Sequence, residues 1–399
     1  MPPPTDGSAA LAGSPPTPPE RSPAVPPGLY VGLMSGTSMD AVDAALAEAS
    51  ADGGFRVRAA RRVAMPAPLA ARLRRLAAGR EEDIEPGTGD AIDELGDLDQ
   101  LVGELFAGAV VGLLAAAGVQ PGEVRVVGSH GQTLRHRPRA PRPFTLQIGD
   151  PNVISARTGI PVVADFRRKD MALGGQGAPL VPAFHRAIFA RAGEHRAVLN
   201  LGGIANLTLL PPGRPVTGFD TGPGNCLMDA WARRHLDKAF DEDGAWGASG
   251  SPCAALLDRL LAHPYFAAGP PKSTGPEDFS LAWLDAALAQ SGHPGPADVQ
   301  ATLLELTART VSAALQPTPP ARLVVCGGGV HNRALLDRLD ARLPATEVAS
   351  SAAHGIDPDQ VEAAAFAWLA ARTLAGRTGN LPAVTGAGRA AVLGASWPA

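Results

Sequence analysis

Apolar and polar residues fall into short blocks along this chain of 399 residues, and the blocks predict strands alternating with helices. The first block, residues 30–46, has apolar runs on both sides of Ser35-Gly36-Thr37-Ser38 and predicts two strands joined by a turn of small, hydroxylic residues. A third strand is expected at 55–62 and helices at 69–78 and 89–117. In the second helix Ile92, Leu95, Leu98, Leu101, Val102, Leu105 and Phe106 recur close to the helical period. A short buried strand at 124–129 ends in His130-Gly131-Gln132-Thr133, and strands at 144–148 and 161–164 flank a helix at 151–158. At Ala197 the opening pattern returns, with apolar runs around Gly202-Gly203. Such an echo is what two related domains give. Residues 323–325 read as a buried strand running into Cys326-Gly327-Gly328-Gly329, and helices are expected at 226–236, 332–341 and 360–374. This alternation through both halves predicts an α/β protein.

Composition adds bounds to this picture. The length suits two domains, and 45% hydrophobic with 19% charged residues suits a soluble globular chain with a large core. Residues 1–28 are dominated by proline, alanine and serine, which predicts a disordered tail. A net charge of −4 gives no general attraction to nucleic acid or to an anionic membrane. Cys226, Cys253 and Cys326 show neither metal-ligand spacing nor a disulfide framework, and read as buried fillers in a reducing compartment. No apolar run reads as long enough to span a bilayer, and the start does not read as a signal peptide. The expected location is the cytoplasm.

The turn after the first strand would gather N–H groups and hydroxyls, as a phosphate that only accepts hydrogen bonds requires. Asp40 and Asp43 follow and suit a magnesium ion, held directly or through water. A second site is Gly218-Phe-Asp220-Thr221-Gly222-Pro-Gly224-Asn225, where Asn225 is placed to cap a helix whose start favours phosphate. The alternative there is a tight turn with Asp220 bonded to its own backbone. Gly327, Gly328 and Gly329 would let the backbone approach a flat ligand, or simply pack a strand on a helix. Arg167 and Arg168 suit a carboxylate or phosphate clamp, against a solvated loop as the alternative. His130 and Gln132 end a strand with groups suited to a ligand. Lys272-Ser273-Thr274-Gly275 lies in a loop, and Glu362 is a carboxylate on an otherwise apolar helix, costly unless paired or functional.

These motifs, in this order, resemble one family, the anhydro-N-acetylmuramic acid kinases, of the actin/hexokinase/Hsp70-like ATPase superfamily. The resemblance runs from about Tyr30 to the end. It is carried by Gly32-Leu-Met-Ser-Gly-Thr-Ser-Met-Asp40, Gly128-Ser-His-Gly-Gln-Thr133, Thr145-Leu-Gln-Ile-Gly149, Asp165-Phe-Arg-Arg168, Gly174-Gly-Gln-Gly-Ala-Pro-Leu-Val-Pro182, Leu199-Asn-Leu-Gly-Gly-Ile-Ala-Asn206, Phe219-Asp-Thr-Gly-Pro-Gly-Asn225, Pro271-Lys-Ser-Thr-Gly275 and Cys326-Gly-Gly-Gly329. It implies a two-domain, ribonuclease H-like fold with an interdomain cleft, one domain at 29–164 plus 387–399 and the other at 165–386. It implies an ATP-dependent kinase that opens 1,6-anhydro-N-acetylmuramic acid with water and phosphorylates O6, giving N-acetylmuramic acid 6-phosphate and ADP in peptidoglycan recycling. Asp220 is then the base and Glu362 a further active-site carboxylate. ATP and its phosphates fall to Gly36, Thr37, Ser38, Met39, Asp40, Ala41, Val42 and Asp43, with Gly202, Gly203, Asn206, Thr221, Gly222, Gly224, Asn225 and the three glycines 327–329 opposite. The sugar falls to His130, Gln132, Arg167, Arg168 and Gln176, magnesium to Asp40 and Asp43, and a homodimer is implied.

One position departs from the family's pattern: Asp40-Ala41 stands where Asp-Gly is usual, and a left-handed backbone at Ala41 would cost alanine roughly 1 kcal/mol or more. Two competing readings remain. One is a kinase of the same superfamily acting on an ordinary hexose, the other a nucleotide-binding regulatory protein that has lost turnover.

Overall fold

The two predicted hairpins each begin a five-strand unit with the same strand order. The computed structural model describes residues 25–79, 90–270, 272–275 and 277–399. In the first sheet β1 (Gly28–Ser35), β2 (Ala41–Ala49) and β3 (Phe55–Ala64) form an antiparallel meander, and β4 (Val124–Arg137) and β6 (Val162–Ala164) add in parallel on the other side of β1. The hairpin strand β5 (Phe144–Ile148) pairs with β4. In the second sheet β7 (Arg196–Leu201), β8 (Ile204–Leu210) and β9 (Thr217–Pro223) repeat the meander, with β10 (Arg322–Cys326) and β11 (Glu347–Ser350) parallel beyond β7. The order β3-β2-β1-β4-β6 thus recurs as β9-β8-β7-β10-β11. This is the duplicated architecture that the echoed hairpins predict. The last strand, β12 (Ala395–Trp397), returns to the first sheet on β6.

Helices fill the layers. They are α1 (Ala67–Ala78), α2 (Ala91–Ala117), α3 (Pro151–Thr158), α4 (Phe166–Ala172), α5 (Val181–Phe189), α6 (Cys226–Leu236), α7 (Ala245–Ser249), α8 (Ala254–Leu261), α9 (Pro264–Ala267), α10 (Leu281–Leu288), α11 (Pro296–Leu315), α12 (Arg333–Arg342), α13 (Val361–Leu374) and α14 (Pro382–Thr385). Strand side chains sort by the period of two. Tyr30 of β1, Val198 of β7 and Val324 of β10 join one core with α5 and α13 between the sheets. Val31 and Leu33 turn to α1 and α2 on one outer side. Leu199, Leu201 and Val325 turn to α6, α8 and α11 on the other.

Four expectations change. Residues 25–28, expected within the disordered tail, belong to the fold: Val25 is buried and the Tyr30 hydroxyl donates to the Pro26 carbonyl at 2.7 Å. The rest of that tail, 1–24, lies outside the described residues, as does Pro271. Strand β4 does not stop at Ser129 but continues through His130–Thr133, because β5 pairs with that stretch. Helix α13 packs on β1, β2 and β4, so a domain boundary at 386 does not follow the packing. Helix α2, finally, is long and apolar enough to cross a membrane by length and composition, contrary to the expectation that no run was. It is a core helix by its contacts, burying Leu98, Val102, Phe106, Val110 and Leu113 against the first sheet.

Candidate active site

The turn between β1 and β2 is held from below. The Met39 N–H donates to the Gly36 carbonyl at 3.2 Å, and Met39, not Ala41, is the residue with a left-handed backbone, φ 54°. Ala41 lies in β2 opposite Ala64 with ordinary extended geometry, so the anticipated strain does not arise. The Ser35 hydroxyl shares its proton between the Gln132 Oε1 at 2.6 Å and the Ala41 carbonyl at 3.0 Å. Gln132 Nε2 donates to the Gly36 and Thr133 carbonyls at 3.1 and 3.2 Å. Both amide N–H bonds of this buried residue are therefore committed, one to the turn and one to its own strand, which corrects its assignment to the sugar. From α1, Arg74 donates to the Ser38 carbonyl at 3.0 Å. Gly36, Thr37 and Ser38 present the accessible rim of the turn, while Val42 is buried beneath it.

Asp40 and Asp43 share Arg62 of β3. Asp40 accepts from Ser38 Oγ at 2.6 Å and from Arg62 Nη2 at 2.9 Å. Partial burial opposes its ionisation, but the Ser38 hydroxyl and Arg62 win and hold its pKa below the ordinary value. Burial pushes Asp43 the other way. Arg62, 3.7 Å from Asp43 Oδ1, only partly offsets this, and the neighbouring Asp40 and Asp359 add to it. Asp43 Oδ1 is buried without a hydrogen bond. That open acceptor fits a magnesium ion or one of its waters, whereas both Asp40 oxygens are engaged. Among the described residues no three His, Cys, Asp or Glu side chains gather as a metal cage. A magnesium nucleotide needs none, since phosphates and water fill most positions.

Glu362 opens α13, and two glycines set its position. A Cβ at Gly32 would overlap the Ala363 carbonyl, and one at Gly128 the Phe366 carbonyl. The helix backbone therefore rests directly on β1 and β4. Burial raises the Glu362 pKa, Arg167 opposes that and Asp43 reinforces it. Glu362 thus stands electrostatically between the turn and Arg167. Arg167 Nε and Nη2 point at His130 Nε2, at 3.0 and 2.9 Å, and Nη1 donates to the Gly177 carbonyl at 2.8 Å. Two donors on Nε2 make His130 a neutral imidazole with its proton on Nδ1. Burial and then the Arg167 charge push its pKa well down. Burial also lowers Arg167 to about 10, against the pull of Glu362 and Asp170.

Arg168 departs from its assignment beside Arg167. It lies on the exposed side of α4, near Asp165 at 3.7 Å, because the helix turns consecutive residues apart. The Gln176 side chain is exposed, and its backbone N–H donates to the Thr385 carbonyl at 2.8 Å.

Asp220 stands on β9, the edge strand of the second sheet, one residue before a β-bulge opposite Ala205 and Asn206. Bulges re-aim side chains beside active sites. Asp220 Oδ2 accepts from the Thr274 N–H at 3.0 Å, its own N–H donates to the Lys272 carbonyl at 3.1 Å, and its carbonyl accepts from Tyr265 Oη at 2.8 Å. Lys272 Nζ sits 4.5 Å over the Tyr265 ring and donates to the Tyr265 carbonyl. Burial raises the Asp220 pKa to about 6, with the Thr274 N–H and Lys272 pulling against it. This is the range of a general base at neutral pH. The alternative of Asp220 closing on its own turn does not hold, since its carboxylate bonds a loop 54 residues away.

Cys326, Asn200, Asn206 and Asp220 form one row across β10, β7, β8 and β9. At about 4.8 Å per strand the row puts Asp220 roughly 14 Å from Cys326, whose thiol feels the Glu362 charge.

The glycines divide into two kinds. A Cβ at Gly328 would meet nothing, and one at Gly202 or Gly203 would make only ordinary contacts. Gly224, Gly327 and Gly329 are packing positions, where a Cβ would strike Gly202 O, Asn200 Oδ1 and Leu201 respectively. The N–H groups of Gly224, Asn225 and Cys226 donate to the carbonyls of Gly202 and Gly203. They are not free for phosphate. Asn225 makes no side-chain cap; its Nδ2 bonds the Leu201 carbonyl at 3.0 Å. The Thr221 hydroxyl is buried and donates to the Ala205 carbonyl, and Gly222 (φ 143°) packs on Phe266. Of the cysteines only Cys326 is fully buried; burial raises the Cys226 thiol to about 11.

Sequence reasoning missed Ser35, Arg62, Arg74, Tyr265 and Asp170. Arg62 and Arg74 act from a strand and a helix that carry no motif. Ser35 lay inside a quoted motif where nothing in the pattern told support from contact, and Asp170 lies two residues beyond the motif that ends at Arg168.

A profile of the family described as "Anhydro-N-acetylmuramic acid kinase" matches residues 28–399. The chain is 55% identical over 377 residues to the anhydro-N-acetylmuramic acid kinase of Xanthomonas campestris pv. campestris (strain 8004), covering 93% of this chain and 97% of that one. It is 52% identical over 372 residues to the anhydro-N-acetylmuramic acid kinase of Shewanella halifaxensis (strain HAW-EB4), covering 93% and 98%. Among solved structures, component A of the Acidaminococcus fermentans (R)-2-hydroxyglutaryl-CoA dehydratase aligns at 13% identity with a TM-score of 0.46, over 87% of this chain and 99% of that one.

Proposed function

The chain belongs to the anhydro-N-acetylmuramic acid kinase family, and on that premise we propose that it is an ATP-dependent kinase that opens 1,6-anhydro-N-acetylmuramic acid with water and phosphorylates O6. The products are N-acetylmuramic acid 6-phosphate and ADP. The observation that carries the reading is Asp220: a half-buried carboxylate with its pKa raised to about 6, oriented by the Thr274 N–H.

An anhydro bridge joins C1 and O6 of one sugar. Water attacks C1, Asp220 takes its proton, the C1–O6 bond breaks, and O6 accepts the γ-phosphoryl group as the bond to ADP breaks. The leaving oxygen is captured by phosphorus and needs no separate acid, unlike ordinary glycoside hydrolysis with its two carboxylates. A positioned base contributes about 10²–10⁴-fold; alignment and charge neutralisation supply the rest.

In this assignment the rim Gly36–Ser38 receives the ATP phosphates, and the backbone at Gly202, Gly203 and Gly328 receives the rest of the nucleotide. Asp43, with its unfilled acceptor, holds magnesium directly or through water, and Asp40 fixes the turn through Ser38 and Arg62. Magnesium, when bound, neutralises phosphate charge. Arg167, fixed by His130 and Gly177, offers its remaining N–H groups to the sugar's lactyl carboxylate. Glu362 lies where the sugar side meets the phosphate side. Incubation with ATP, magnesium and the anhydro sugar tests the proposal by the appearance of the 6-phosphate, with intact hexoses as the control acceptors. Phosphorylation of hexoses in place of the anhydro sugar would overturn it.

A further inference from the structure

Asp170 is fully buried on α4, and both its carboxylate oxygens are in use. Oδ1 accepts from Asn380 Nδ2 at 2.6 Å and Thr385 Oγ1 at 2.7 Å. Oδ2 accepts from the Gly177 N–H at 2.8 Å. One carboxylate thus ties α4 to the glycine loop 174–177 and to a segment more than 200 residues away in sequence. The tie is reinforced around it. Gly175 N–H donates to the Asp170 carbonyl, Gln176 N–H to the Thr385 carbonyl, and Gly388 N–H to the Leu173 carbonyl. Gly175 approaches the Asp170 carboxylate so closely that a Cβ would overlap Oδ2.

Gly177 is the link to chemistry. Its N–H is held by Asp170, and its carbonyl accepts from Arg167 Nη1 at 2.8 Å. The other side of the same guanidinium faces His130. Arg167 is thereby fixed at two points, and one of them is only as firm as the Gly177 backbone. We infer that Asp170 is a positioning residue for recognition of the sugar's carboxylate: it fixes Gly177, and through the Gly177 carbonyl it aims the Arg167 guanidinium. The inference rests on the reading of Arg167 as the partner of the lactyl group. Asp170 touches neither sugar nor nucleotide in this account.

Replacement by asparagine isolates the link. The amide oxygen of the new side chain keeps the bonds from Asn380 and Thr385, and its NH₂ then meets the Gly177 N–H donor to donor. The test compares 1,6-anhydro-N-acetylmuramic acid with 1,6-anhydro-N-acetylglucosamine, which lacks the lactyl group. Because the readout is the ratio of their kcat/KM values, it does not depend on how much protein is folded. In Asp170→Asn the preference for the lactyl-bearing sugar falls roughly tenfold, the scale of one weakened charge-assisted contact, while KM for ATP stays within about twofold of wild type. Arg167→Lys lowers the same ratio, and the double variant lowers it no further than the larger single effect, as residues acting in series require. Thr385→Val, which keeps shape and removes one donor from Asp170, lowers the ratio in the same direction by less and carries the test if the asparagine variant does not fold.

Equal losses on both sugars, leaving the ratio intact in Asp170→Asn or Thr385→Val, would overturn the inference and leave the proposed reaction standing. A wild-type enzyme inert toward both sugars would overturn the reaction and the inference with it.

Discussion

Gly32 of β1 lies directly beneath the Ala363 carbonyl of α13, with no room for a methyl group between them. This contact sets the height of the helix whose second residue is Glu362. Gly32→Ala therefore has to lift the start of α13 or bend β1. Overpacking of this kind costs about 1–3 kcal/mol, so urea unfolding should show a lower midpoint. Because Glu362 moves with the helix, kcat should fall further than the folded fraction explains. A variant with wild-type stability and kcat would show that the contact does not position Glu362.

Asp220→Asn should separate activity from stability. Loss of the base lowers kcat by about 10²–10⁴-fold, with KM for ATP little changed. The folded-state pKa of Asp220, about 6, lies above the ordinary 3.8. Its charge is therefore penalised by the fold, and the penalty is present in full above pH 6 and vanishes as pH falls below 3.8. Asparagine carries no such penalty. The variant should melt at a higher temperature than wild type at pH 7.5, with the gain shrinking as pH falls toward 4. A lower melting temperature at pH 7.5 would contradict this account of Asp220.

The same group governs the acid limb of the rate. The base must be ionised, so kcat/KM for the sugar should fall about tenfold per pH unit below roughly pH 6 and level off above it. Burial is the main cause of the raised pKa, and Lys272 opposes it. Removing that charge in Lys272→Met should move the limb to higher pH. A limb that stays in place or moves to lower pH would remove Lys272 from the electrostatics of Asp220.

Ala41→Gly should be silent for nucleotide binding. Ala41 is an extended residue of β2 opposite Ala64, and the left-handed position in the turn belongs to Met39. Glycine in a strand interior weakens it by about 0.5–1 kcal/mol, so a small drop in stability is expected with KM for ATP unchanged. A severalfold tighter KM would show that the methyl group disturbs the phosphate turn.

Much of the fold could be read from the chain because it is written twice. The hairpin at 30–46 and its echo at 197–210 are local patterns with clear strand periodicity, and each recurs as the start of the same five-strand order. Asp220 and Glu362 also stood out locally, one by its glycine-rich setting and the other as a lone acid in an apolar helix. What stayed hidden depends on partners remote in sequence. Gln132 looked like a ligand group until its amide was seen to hold Ser35 and Gly36, almost 100 residues earlier. The glycines at 224, 327 and 329 looked like a nucleotide cradle but let the chain after β9 and β10 pack against the end of β7 and the β7–β8 turn. Helix α2 passed for an ordinary amphipathic helix, because the apolar run that would span a membrane is packed on the sheet over only part of its circumference.

The central claim is that ring opening by water and phosphoryl transfer to O6 are one coupled reaction. Turnover of 1,6-anhydro-N-acetylmuramic acid with ATP and magnesium in ¹⁸O-water, quenched early and corrected for exchange at the free anomeric carbon, tests it most directly. The account predicts one ¹⁸O on C1 of N-acetylmuramic acid 6-phosphate and none in its phosphate. Formation of ADP with ¹⁸O in inorganic phosphate, and no sugar 6-phosphate, would contradict it.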